Sequence, residues 1–330
     1  MTTEPRPRVR RARPILAALL GAALLAGPAL AQPADRPLRI IAGFAPGGTS
    51  DIVARVVAEA VAGPLGQRPV VENRTGANGF IAAEAVVRGP ADGSTVLQCP
   101  MGNMTISPEV PGMHIPIDVA QDLVPVANAA RSSYAVVTGA RSPYRSLEEL
   151  LAAARARPGA LSYGSAGTGT AQHLSAERLK RMAGVDIAHI SYRGAAPAAL
   201  DLIAGRIDLL ITNLGDVIRQ IQGGELRLLA LADEAGWPEF PDAPRLPRIV
   251  PGLEVIGWFG ICGPRGMPPE AVQRWAEAIR AGLEEPALRK RLLDNGIAPG
   301  FEGPEAFART IARDRQVWGE TIRAAGIRAE

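Results

Sequence analysis

Two stretches of this 330-residue chain follow one plan: a short apolar run, a glycine-rich loop, then a segment with one apolar face. In the first, Leu38-Arg39-Ile40-Ile41 reads as a strand. A helix follows over residues 50–62, with Ile52, Val53, Val56, Val57, Ala60 and Val61 on one side and Gly63-Pro64 as its stop. In the second, residues 160–182 repeat strand, loop and helix. The match is of architecture rather than letters, which describes two similar halves facing each other and not a tandem repeat. A loop between a strand's carboxyl end and a helix's start is where open α/β sheets bind ligands.

The remaining pattern agrees. Strands are expected at residues 69–71, 95–99, 134–138, 187–192, 207–212, 226–231 and 255–262. Ser146-Leu147-Glu148-Glu149 is a capping box, Pro158-Gly159 ends that helix, and Pro197 and Gly205 bracket the next. The last eighty or so residues read as mostly helical, with Val272, Trp275, Ala276 and Ile279 on one face and Phe307, Ile311, Trp318 and Ile322 on another. Strands alternating with helices predict parallel sheets covered on both faces. The proline-rich stretch 237–251 reads as a return from the second half to the first.

The amino terminus is an address. Arg6, Arg8, Arg10, Arg11 and Arg13 precede an uncharged apolar run over 15–25, and Ala29-Leu30-Ala31 is a small-x-small cleavage site. The run is shorter than the roughly 20 residues a membrane span requires. Cleavage after Ala31 and export to the periplasm are therefore expected. Arg10-Arg11 leaves the twin-arginine route open, although the residues around the pair match it poorly. No cysteine follows the cut to take a lipid.

The whole chain has 36 basic and 33 acidic side chains, but the leader holds five of the arginines and one glutamate, so the 299 residues after the cut carry a net charge of −1. That excludes a basic nucleic-acid-binding domain. The two cysteines, Cys99 and Cys262, each lie in or beside an expected buried strand. An oxidising compartment permits a bridge, while burial suits two free thiols packed as small apolar groups, and spacing does not decide between them.

The first loop is Phe44-Ala45-Pro46-Gly47-Gly48-Thr49-Ser50-Asp51. Gly47 and Gly48 permit positive φ and close approach of a ligand, and Thr49, Ser50 and Asp51 are capping residues. Such a loop offers unpaired amides at the positive end of a helix, an anion site. A capped turn holding only water fits the letters equally well. The second loop, Gly164-Ser165-Ala166-Gly167-Thr168-Gly169-Thr170, leads into Ala171-Gln172-His173 with the same geometry. It lacks a P-loop lysine, and Gln172 stands where a dinucleotide fingerprint needs its third glycine. A carboxylate is the natural guest. Asp51 would repel it, so capping or holding a water is its preferred role, with reception of a ligand ammonium group as the alternative.

His114, His173 and His189 lack zinc spacing among themselves and with the cysteines, so no metal or cofactor is expected. Ser165 near His173 raises nucleophilic catalysis, yet G-x-S-x-G is absent, and His173 is expected to donate a hydrogen bond into the cleft or to a neighbouring loop.

With Glu72-Asn73-Arg74, the run Ala91-Asp92-Gly93-Ser94-Thr95-Val96-Leu97, and Tyr192-Arg193-Gly194-Ala195-Ala196-Pro197, the two loops resemble the Bug or TctC-type family over nearly the whole exported chain. These are substrate receptors of tripartite tricarboxylate transport systems. The resemblance implies a type II periplasmic binding protein-like fold: two α/β lobes with a ligand cleft between them. One lobe would comprise 32–131 and 252–330, the other 132–251. It implies a monomeric, non-enzymatic receptor that holds a small carboxylate, an organic acid or amino acid, on loop amides and ordered waters and hands it to membrane permease subunits.

Carried onto this chain, the binding residues are Phe44, Ala45, Gly47, Gly48, Thr49 and Asp51 in the first loop, and Ser165, Ala166, Gly167, Thr168, Gly169 and Thr170 in the second. Ala77 and Asn78 are expected beside the cleft, with His173, Tyr192 and Asn213 as further candidates. Thr75 and Asn78 depart from the family's usual Pro and Gly, and Arg245 from its Thr. A periplasmic sensor of the same ligand, or an exported hydrolase using Ser165 and His173, are the alternatives. Neighbouring permease or kinase genes separate transport from sensing.

Overall fold

The structure is a computed structural model that describes residue 2 and residues 36–329; the leader's arginines, apolar run and cleavage site lie outside them. The first sheet grows from short apolar strands. β1 (Arg39–Ala42) lies between β2 (Val70–Asn73) and β3 (Thr95–Pro100), parallel to both. β4 (Leu123–Gly139) is 17 residues long, and its first half belongs to this sheet. A second sheet takes the other half of β4, with β5 (Ser162–Ser165), β6 (Ala188–Ser191), β7 (Leu209–Asn213) and β8 (Leu226–Leu231). β9 (Ile256–Pro264) returns to the first sheet between β3 and β4, and β10 (Ala298–Glu302) pairs with β4.

The sheets are mixed rather than parallel. β1–β3 and β5–β7 run parallel as expected of βαβ units, whereas β4 and β9 are antiparallel to their neighbours. β4 carries the chain from the first sheet into the second, and β9 lies in the first sheet between β3 and β4.

Helices cover the sheets where an apolar stripe meets a sheet face. Those of two turns or more are α1 (Thr49–Ala60), α2 (Phe80–Val87), α3 (Leu147–Ala156), α4 (Ala171–Ala183), α5 (Ala195–Ile203), α6 (Pro269–Leu283), α7 (Pro286–Leu293) and α8 (Pro304–Ala325). α1, α6 and α7 pack Val53, Val57, Trp275, Ile279 and Leu288 against Ile40 and Val96 on one face of the first sheet. On β4 the alternation of strand side chains is explicit. Tyr134 and Val136 face one core with Leu150 and Leu174, and Ala135 and Val137 face another with Ala198 and Leu202 of α5. Of the residues expected on α8's face, Phe307, Trp318 and Ile322 are buried and Ile311 is half-buried. The fold is α/β with two lobes. No helix among the described residues is long and apolar enough to cross a membrane.

Two local expectations change. Ser146 caps α3 by accepting from the Glu149 amide at 3.2 Å, but the Glu149 carboxylate reaches one residue further back, to the Arg145 amide at 2.6 Å, so the box is not reciprocal. Cys99 and Cys262, for which burial favoured free thiols, form a disulfide across adjacent strands β3 and β9. Both reasons operate together here: the pair is fully buried and bonded.

Candidate functional site

The first loop is built by its neighbours. The Asn73 side-chain amide donates to the Phe44 carbonyl and to Asp51 Oδ1, both at 3.0 Å, fixing the turn from β2. Beside it, Glu72 pairs with both Arg39 and Arg74. Asp51 also accepts from the Gly47 amide at 3.1 Å and from Arg55 Nε at 2.9 Å. Burial opposes its charge, yet Arg55, the Gly47 amide and Asn73 together hold its pKa below the usual carboxylate value. Asp51 is thus a loop clamp, and it lines neither cavity described below.

Gly47 has φ +89°, as its letter suggested, but Gly48 does not: it is the N-cap of α1 at φ −84°, in extended backbone. Glycine serves there for space, because a Cβ would stand 3.3 Å from Asp216 Oδ1. Nor do Thr49, Ser50 or Asp51 cap α1. The first amide of the helix, Thr49 N–H, donates to Asp216 Oδ1 at 2.7 Å, a residue 167 positions away in the chain.

The second loop is held from beneath by a column of rings. His173 stacks on His189 with centroids 4.2 Å apart, and His189 on Tyr163 at 4.9 Å. Ser165 Oγ lies 2.7 Å from His189 Nε2 and also bonds the Gly167 backbone. His173 does not donate into the cleft: its Nδ1 accepts from the Gly169 amide at 3.0 Å. Burial, then the neighbouring His189, lowers its pKa to about 4, which keeps Nδ1 free to accept. Ser165 is completely buried and bonded to His189 rather than His173, so the pair imagined for hydrolysis is not assembled. Thr170 caps α4 by accepting from the His173 amide at 3.4 Å.

Between the loops lies an inner cavity of about 550 Å³, its open mouth included. Phe44, Ala45, Gly48 and Thr49 line it from the first loop, Ala166 and Thr170 from the second, and Asn213 from the end of β7. Ala171 and Gln172 also line it; first-turn amides such as theirs have no acceptor within their helix. The starts of α1 and α4 therefore meet at one chamber. A wider outer cavity, about 1410 Å³ including open solvent, takes Ala77, Asn78, Gly167, Thr168 and Tyr192, and shares Phe44 and Ala166 with the inner one. Asn78, at φ +54°, extends its side-chain amide to the Thr168 carbonyl and so ties its own turn to the second loop. Gly47, Ser165, Gly169 and His173 line neither cavity and shape the loops from behind. Tyr192 turns its hydroxyl to Asp201 at 2.8 Å.

Sequence reasoning missed the inner cavity's body. Tyr134 on β4, Trp258 and Phe259 on β9, Met101 after β3, and Asp216 after β7 all line it. Burial and the Asp216 carboxylate push the Tyr134 hydroxyl well above the ordinary phenol range, so it stays protonated. The signal that was available was position: Asp216 and Trp258 flank the ends of strands. Among the described residues, no group of His, Cys, Asp and Glu is arranged to hold a metal ion.

The chain matches the family model "Tripartite tricarboxylate transporter family receptor" over residues 53–327. Three solved structures resemble it throughout. Rpa4515 of R. palustris, solved with adipate, is 33% identical, with a TM-score of 0.86, 90% of this chain and 99% of that one covered. The periplasmic binding protein BugD is 28% identical, with a TM-score of 0.83 and coverage of 89% and 99%. MatC of Rhodopseudomonas palustris, with bound malate, is 26% identical, with a TM-score of 0.82 and coverage of 87% and 99%. Sequence motifs, two-lobed fold and matched length agree, and this chain belongs to the TctC family of tripartite tricarboxylate transporter receptors.

Proposed function

We propose that this protein is an extracytoplasmic receptor that captures a small carboxylate in its inner cavity and delivers it, as a monomer, to the permease subunits of a tripartite tricarboxylate transporter. The observation that carries the reading is the meeting of two helix starts, α1 and α4, at one buried chamber. Amides and helix dipoles aimed at one point stabilise a bound anion without any cationic side chain. The adipate and malate in the family structures are small carboxylates.

The binding set we propose is Phe44, Ala45, Gly48, Thr49, Ala166, Thr170 and Asn213 around the ligand, with Ala77, Asn78, Gly167, Thr168 and Tyr192 at the mouth. Lobes of 32–131 with 252–330, and of 132–251, are supported by β4 and β9. Their mutual pairing ends at Ser133 opposite Ile256, where β4 passes to the second sheet. Closure about that crossing would trap the ligand. The leader supports export with cleavage after Ala31, into the periplasm.

A thermal-shift screen of mono-, di- and tricarboxylates and amino acids tests the reading. A ligand that binds only the folded form at a hundredfold excess over its Kd stabilises it by about 2.7 kcal/mol, a rise of several degrees. A flat response across the whole library rejects it.

A further inference from the structure

Among the described residues that line the inner cavity there is no Lys, Arg or His, and the one carboxyl group is that of Asp216, at 8% exposure. Its carboxylate already serves the start of α1 through the Thr49 amide at 2.7 Å. Its other oxygen accepts from Thr212 Oγ1 and, at 3.4 Å, from the Asn213 amide. The two helix starts are therefore not equivalent. α4 presents the amides of Ala171 and Gln172 to the chamber, while α1's first amide is occupied by a protein carboxylate. Beside Asp216, Asn213 Oδ1 and Thr49 Oγ1 are buried, at 5% and 1% residue exposure, with no hydrogen-bond partner among the described residues. Asn213 Oδ1 is a further acceptor that needs a donor.

From this we infer that Asp216 determines specificity: the cavity selects a ligand with one carboxylate, seated at α4, and one hydrogen-bond donor, an ammonium or hydroxyl group, turned to Asp216 and Asn213, over a plain dicarboxylate. The inference rests on the receptor reading above and narrows its ligand class. A second carboxylate at the α1 side would face Asp216 with no cationic side chain in the cavity wall to separate them, and like charge opposes that. A donor there satisfies the unpaired acceptors instead. The ligand's body meets Phe44, Met101, Trp258 and Phe259, so an apolar chain or ring suits it.

Calorimetry with matched straight-chain series from three to eight carbons tests this: each length as the monocarboxylate, the 2-amino acid, the 2-hydroxy acid and the dicarboxylate. At the best-binding length, the amino or hydroxy acid is expected to bind about tenfold or more tighter than both the monocarboxylate and the dicarboxylate, and which of the two wins separates ammonium from hydroxyl. Asp216→Asn, which keeps an oxygen for the Thr49 amide, is expected to reduce that preference to about threefold or less and to admit the dicarboxylate. Wild-type protein that binds the dicarboxylate best, or a D216N variant with an unchanged order, overturns the inference and leaves the receptor reading standing. Binding of no series member overturns this inference, while the receptor reading falls only if the wider library is also silent. Should D216N not fold, the wild-type order decides alone.

Discussion

His173 shows how a residue that lines neither cavity shapes a loop that does. Its Nδ1 accepts from the Gly169 amide, and an imidazolium cannot accept there. The charged and titratable groups around it are His189 in the ring stack, and Glu177 and Lys180 on its own helix. Because its pKa falls to about 4 in the fold against 6.5 free, the unfolded chain binds the extra proton first. Stability therefore rises with pH through that window and is lost as pH drops from about 6.5 to 4, by about 3 kcal/mol at most. His173→Asn keeps an acceptor near Gly169 and removes the titration. Urea midpoints at pH 7.5, 5.5 and 4.5 should converge on a shallower acid loss in the variant than in the wild type. Equal slopes would show that carboxylates elsewhere carry the acid sensitivity. The same scale explains why Asp216 was illegible. An Asp three residues after Asn213 has no meaning until folding sets it on a helix that starts 167 positions earlier. Asp51, by contrast, was read from its place in a first turn, and it does serve its own loop.

At the scale of elements, strands with clean apolar runs were legible to within a residue or two, and those interrupted by an internal proline were not. The first half of β4 and all of β10 escaped notice because Pro125 and Pro299 interrupt them. The ladder is irregular at both places, with register shifts at Pro125/Ala127 and Pro299/Glu302, which is how a sheet accommodates a residue without an amide donor. The strands at 134–138 and 255–262 were expected and are found, but their antiparallel direction was not, because no letter in a strand announces which way its neighbours run. The disulfide belongs to this scale too. It ties β3 to β9, residues 163 apart, and so closes much of the chain into one loop. A loop that long restricts the unfolded chain strongly, and removing the bond by a Cys99→Ala/Cys262→Ala double replacement should cost about 2–5 kcal/mol. Denaturant melts should show a lower midpoint and, because the binding loops are built by other contacts, ligand affinity within about twofold of wild type. A large loss of affinity would mean that the bridge positions β9's Trp258 and Phe259 in the cavity wall.

For the whole molecule, the question is what holds the two halves around the chamber before any ligand arrives. Several contacts join elements on either side, among them Arg181 to the Ala324 carbonyl and Arg219 to Asn295, and three of them involve the binding loops. The Thr49 amide meets Asp216 inside, Ser107 Oγ donates to the Gly169 carbonyl at 3.0 Å, and Asn78 reaches the Thr168 carbonyl at the mouth. Opening about β4 and β9 would break all three, so the apparent affinity scales with the closed fraction of the ligand-free protein. Asn78 is the contact that can be removed most cleanly. Its φ of +54° suits glycine, so Asn78→Gly deletes the side chain without adding backbone strain, and the Asn103 side-chain bond to its carbonyl, at 2.6 Å, survives. A single hydrogen bond is worth about 0.5–1.5 kcal/mol net, so the variant should bind any ligand about three- to tenfold more weakly. The loss should fall on the dissociation rate, read by stopped-flow displacement, because the chamber itself is unchanged. Ligand-free N78G should also give a larger radius of gyration in solution scattering than ligand-free wild type, and addition of ligand should bring the two together. Equal dissociation rates and equal radii would mean that closure is set by the inner contacts alone, with the mouth following passively.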